Sequence, residues 1–139
     1  MKAKRITGVV ALLVGGGLGL RVAMAQDPGI TRIELQRHDL GVSGREVVQV
    51  RVEFDPGVGF GPHRHPGEEI AYVLEGALEY QVEGSPATTL RAGEVLFIPA
   101  GAIHSAKNVG SGTAAELATY LVEKDKPLVA FAPLSASAE

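Results

Sequence analysis

Apolar and polar side chains alternate along most of this chain, and the alternation predicts strands. From Glu46 to Phe54, Val48, Val50, Val52 and Phe54 fall on one face and Gln49, Arg51 and Glu53 on the other. That period of two describes a half-buried strand. Asp55-Pro56-Gly57 supplies the turn that ends it. Leu78, Tyr80 and Val82 alternate with Glu79, Gln81 and Glu83 in the same way. Ile70 to Leu74 is almost wholly apolar, so both of its faces are expected to be covered. If Glu69 faces inward, Ala71 and Val73 do too, while Ile70, Tyr72 and Leu74 face out.

Shorter extended runs follow at Thr88–Leu90, Val95–Ile98 and Ile103–Lys107, separated by Gly- and Pro-bearing turns. Thr113–Val122 reads as a long strand, although Ala114 to Ala118 are also good helix formers. Ile33–Leu35 reads as a short first strand after a flexible leader over 26–31, and Leu128–Phe131 as a last edge strand. The 135–139 tail is expected to fray. Many short strands with turn signals every eight to twelve residues predict an all-β sandwich or barrel.

The first 25 residues break this pattern. Lys2, Lys4 and Arg5 precede an apolar, Gly-rich run from Ile6 to Leu20, and Ala23-Met24-Ala25 places small residues where a signal peptidase reads. This is the form of a secretory signal peptide cleaved after Ala25, which would send the product to the periplasm or outside the cell. The run is short for a membrane span and Arg21 interrupts it, so no stable span is expected after processing. The remaining 26–139 suits one domain.

Composition narrows the chemistry. There is no Cys among the 139 residues, which excludes disulfides and thiolate ligands. From Gln26 onward the chain carries nine Lys/Arg against sixteen Asp/Glu. An acidic domain without a basic stripe argues against nucleic acid as a partner.

Two of the four histidines, His63 and His65, are one residue apart and share a face if extended. The Pro66-Gly67 turn can bring Glu69 back beside them. Two imidazoles and a carboxylate at one point suit a divalent transition metal. Glu68, the neighbour of Glu69, is expected to face solvent. Arg64 is expected to point outward, and His38 to lie on the surface.

The spacing Gly57-x5-His63-x-His65-x3-Glu69-x6-Gly76 resembles the first motif of the cupin superfamily at every defining position. Gly93-x5-Pro99-x-Gly101-x2-His104-x3-Asn108 resembles the second, with sixteen residues between them. The resemblance covers 57–108 and is that of a small single-domain bacterial cupin. It implies a conical double-stranded β-barrel of the jelly-roll class. It further implies that His63, His65, Glu69 and His104 hold one ion of Fe, Mn, Ni, Zn, Co or Cu.

Dioxygenase-like chemistry on a small chelating ligand is the activity such a site suggests, with Glu69 also accepting a proton. Isomerase or lyase chemistry fits the same ligands, and a non-enzymatic module that binds a metal or small molecule is the alternative. Phe60, Ala71, Val73, Tyr80, Phe97 and Ile103 are the expected pocket walls, with few polar groups among them. Asn108 is expected to bond loop backbone. An apolar outer face points to a homodimer.

Overall fold

The computed structural model describes residues 27–133. The segments read as a signal peptide (1–25) and a fraying tail (135–139) lie outside them. Ten strands form two five-stranded antiparallel sheets, and among the described residues there is no helix. In chain order they are β1 (Ile30–Asp39), β2 (Arg45–Phe54), β3 (Gly59–Arg64), β4 (Gly67–Glu75), β5 (Ala77–Val82), β6 (Thr88–Arg91), β7 (Val95–Ile98), β8 (His104–Asn108), β9 (Ala114–Glu123) and β10 (Ala130–Phe131). One sheet has the order β1-β2-β9-β4-β7 and the other β10-β3-β8-β5-β6. This is the jelly-roll barrel: each sheet buries one face against the other, and crossing connections bring sequence-distant strands together.

β2 alternates as its sequence dictates. Val48, Val50, Val52 and Phe54 are buried, and the residues between them are half-buried. β9 is a strand throughout, despite its alanines, because it pairs along its length with β2 on one side and β4 on the other. Tertiary pairing overrides helix propensity there. The first strand starts earlier and runs longer than expected. Ile30 is buried and Arg32 half-buried, whereas Ile33 and Leu35 are exposed, so the inward parity of β1 is the reverse of what its apolar residues suggest.

Two glycines set where β4 lies. A Cβ on Gly67 would sit 2.0 Å from the Leu121 carbonyl oxygen, so only glycine lets β4 begin against β9 at that point. Gly76, at φ +75°, closes the other end against Ala114. Asn108 is fully buried. Its amide donates to the carbonyls of Phe54 (3.0 Å) and Gly112 (2.8 Å), and its oxygen accepts from Gly110 N–H (2.9 Å). It ties loop backbone together, as the sequence suggested.

β7 corrects one expectation. Glu69 pairs with Ile98 and Ile70 with Phe97. Paired residues share a face, so Ile98 is buried and Phe97 is 58% exposed beside Val95 and Tyr72. All four residues of β7 are apolar, and its sequence carries no parity signal.

Candidate metal centre

His63 on β3 and His104 on β8 are direct cross-strand partners in one sheet. His65 follows β3 by one residue, and Glu69 enters from β4 in the opposite sheet. All four are buried. One ring nitrogen from each histidine lies within 4.8 Å of the others. The Glu69 Oε2 atom sits 3.0 Å from His65 Nε2 and 3.1 Å from His104 Nε2.

The backs of the rings are pinned. Nδ1 of His63 meets the Gly61 carbonyl at 2.8 Å, Nδ1 of His65 the Leu128 carbonyl at 2.6 Å, and Nδ1 of His104 the Ala102 carbonyl at 3.0 Å. A carbonyl can only accept, so each Nδ1–H donates and each neutral ring turns an Nε2 lone pair toward the centre. His65 Nε2 and Glu69 Oε2 are buried without any hydrogen-bond partner. Lone pairs facing one another across 3 Å need either a proton or a metal cation between them. Two ligands at right angles on an ion with bonds of about 2.1 Å would stand about 3 Å apart. The donor set and the spacing therefore fit a divalent transition metal.

The electrostatics describe the same strain. Burial, and then the His104 ring beside it, hold the His63 pKa down at about 3. Burial would raise the Glu69 pKa, but a proton on His104 or His65 Nε2 would bond and attract the carboxylate and bring it down to about 2. For His104, burial lowers the pKa, yet the Glu69 bond and the Ala102 carbonyl bring it out raised.

The cavity beside this cluster is about 10 Å³, room for an ion or a water. Phe60 and Tyr80 line it, as expected. Ala71 and Val73 face inward but belong to the hydrophobic core, outside the cavity lining. Phe97 is outside the barrel altogether. Ile103 instead lines a shallow outer cleft of about 160 Å³, with Pro62, Gln81, Glu83 and Ser105, that reaches His104 from the other side.

The inner wall is also more polar than expected, because Arg32, Glu116 and Tyr120 line it. Glu116, 5% exposed, accepts a hydrogen bond from the Tyr80 hydroxyl. Burial, and then the charge of Glu69, raise its pKa to about 7. Tyr120 stacks against His65 at 4.6 Å and accepts from Arg32 at 3.1 Å. The available signal was parity: Glu116 shares its face with Ala118, Tyr120 and Val122, all buried. Outside the site, Glu68 pairs with Arg45 at 2.7 Å, and His38 and Arg64 are exposed.

Two facing sheets and a three-histidine, one-carboxylate cluster define a jelly-roll protein with a site suited to a metal. The chain belongs to the cupin family: the family model for the cupin domain matches residues 50–121. Among curated proteins it is 38% identical to germin-like protein 1-1 of Oryza sativa subsp. japonica over 85 residues, covering 58% of this chain and 39% of the relative. It is 34% identical to oxalate oxidase GF-2.8 of Triticum aestivum over 93 residues, covering 61% and 41%. The chain thus spans about two fifths of the length of these relatives. Among solved structures, a recombinant oxalate oxidase in complex with glycolate superposes at TM-score 0.61 with 29% identity, covering 77% of this chain and 57% of that one. A double-stranded β-helix protein from Klebsiella pneumoniae, at TM-score 0.64 and 21% identity, covers 80% and 90% and attests the fold.

Proposed function

We propose that this chain is a metal-dependent enzyme of dioxygenase-like type acting on a small chelating acid. His63, His65, Glu69 and His104 would hold one divalent transition metal ion. The observation that carries this reading is the orphaned pair at the centre, His65 Nε2 and Glu69 Oε2, faced by imidazoles whose outer nitrogens are already committed. An ion bound there would supply Lewis acidity and, if it is Fe, Mn or Cu, redox chemistry. The protein's part is to keep three Nε2 lone pairs aimed inward and to wall the cavity with Phe60, whose ring packs edge-on against His63 at 4.5 Å. Glu69 is the group that would take a ligand's proton, by moving off the ion. The small-acid class is supported by the similarity to oxalate oxidases, one of them in complex with glycolate. Oxygen uptake with glycolate or oxalate by the Fe- or Mn-loaded chain, absent from the metal-free chain, is the expected result. Anaerobic turnover with Zn would contradict it.

The small cavity favours a second reading, a non-enzymatic module that binds metal or a small ligand. Glycolate raising the melting temperature without any turnover would select it.

Export to the periplasm or beyond rests on residues 1–25 and is tested by the N-terminal sequence of the secreted product. Homodimer formation rests on the exposed Tyr72, Val95 and Phe97 side by side on β4 and β7. Light scattering that reads a monomer at micromolar concentration would remove it.

A further inference from the structure

Arg32 and Glu116 lie in one row across the first sheet. Arg32 pairs with Val52 and Val52 with Glu116, so all three point inward, and the outer two are about 10 Å apart at the backbone, twice the strand spacing. Both line the cavity that holds His63, Glu69 and His104. Among the described residues neither makes an ion pair within 4.0 Å.

A buried carboxylate and an inward guanidinium facing one cavity without pairing are costly as structure. Apolar residues would fill the same space at less cost, and the arrangement makes sense if a ligand bridges the gap. Arg32 spends a hydrogen bond on the Tyr120 hydroxyl and lies 5.4 Å over the Phe60 ring, leaving most of its five donors for another acceptor. Glu116 accepts from the Tyr80 hydroxyl through Oε2, and its Oε1 accepts no hydrogen bond from the described residues. The cavity lining therefore offers both a planar cationic donor and a buried acceptor.

We propose that Arg32 and the Tyr80–Glu116 pair form a subsite that reads a small hydroxy acid, its carboxylate on Arg32 and its hydroxyl donating to Glu116. This rests on the small-acid reading above. The half-buried Arg32 side chain stands at the cavity mouth. Because the cavity of about 10 Å³ holds no more than an ion or a water, a ligand that takes the guanidinium must displace the Arg32–Tyr120 contact.

The test is calorimetric titration of the full chain, its metal content measured first, with glycolate, with its uncharged isostere glycolamide, and with acetate, which lacks the hydroxyl. The wild-type protein should prefer glycolate to both. Arg32→Gln should weaken glycolate about tenfold or more, abolish the preference over glycolamide and leave metal content unchanged, whereas Arg32→Lys should retain part of it. Glu116→Gln should lose the preference over acetate. Wild-type glycolate affinity in Arg32→Gln, or no glycolate binding by a metal-loaded wild type, overturns the subsite while leaving the metal centre standing. A wild-type chain that takes up no metal overturns the enzyme reading instead; Arg32-dependent glycolate binding then persists if the subsite is real, and its absence overturns the subsite as well.

Discussion

Two polar clusters share the interior of this barrel and are built on opposite terms. In one, His63, His65 and His104 are fixed from behind by backbone carbonyls, their inner nitrogens gather within 4.8 Å of one another, and those of His65 and His104 face Glu69 at 3.0 and 3.1 Å. In the other, Tyr80 donates to Glu116 and Arg32 to Tyr120, so the hydroxyls are partnered while the two charged ends stay apart. The first cluster is complete except for a cation. The second has its hydroxyls partnered but leaves one Glu116 oxygen and most of the Arg32 donors without a partner among the described residues. The two clusters differ in what they leave unmet: orphaned lone pairs in one case, unpaired charged groups in the other.

The largest separation between them is in proton competition for metal. Binding needs the inner nitrogen of each histidine free of a proton. His63, held at about 3, competes little with metal, whereas His104 is raised and takes up a proton first as pH falls. Metal affinity is therefore expected to drop by about tenfold per pH unit as pH falls, beginning above the ordinary imidazole value near 6.5. Metal titrations that give one affinity from pH 7 to pH 5 would break the distinction.

The next effect belongs to the second cluster. Glu116 has a folded pKa of about 7 against an ordinary 4.5. The folded chain holds that proton more tightly, so the stability it contributes is present below 4.5 and is lost as pH rises through 7. Glu116→Gln should remove that loss, stabilising the metal-free chain by up to about 3 kcal/mol at pH 8 and by little at pH 4. Urea melts of both proteins at the two pH values measure it, and a larger gain at pH 4 would reverse the sign.

Asn108→Ala sharpens the comparison by acting on neither cluster. It leaves the buried Phe54 carbonyl without its side-chain donor and should cost about 1–3 kcal/mol in denaturant melts, with metal content unchanged. The smallest expected effect is that of Glu68→Ala. It removes a half-exposed pair with Arg45 and should change stability by less than about 1 kcal/mol, despite the adjacent Glu69.

The first cluster was legible in the sequence because its residues are close in the chain or carried by spaced Gly and Pro. His63, His65 and Glu69 lie within seven residues, and Gly93, Pro99 and Gly101 announce the loop that delivers His104. Of the second cluster only Tyr80 was legible, because its members come from three strands and the inward parity of Arg32 and Glu116 is masked by the residues beside them. Glu116 sits in Ala114-Ala115-Glu116-Leu117-Ala118, where small residues face in and a charged one goes with them. Arg32 precedes the apolar pair Ile33 and Leu35, which suggests a strand facing the wrong way. Phe97 failed for the same reason in a strand with no polar residue. The barrel itself was legible because the period of two in β2 and β5 is strict and the turns between strands are rich in Gly and Pro.

The claim on which the rest depends is that the three histidines and Glu69 hold one metal ion. The direct measurement is elemental analysis, after dialysis at pH 7.5, of the wild-type chain, His104→Ala and His38→Ala, the last an exposed histidine on β1. The expected result is about one transition metal per chain in wild type and His38→Ala and less than about a tenth of that in His104→Ala, as four ligands on one ion require. A full equivalent of metal retained by His104→Ala, or none in wild type, would contradict the account.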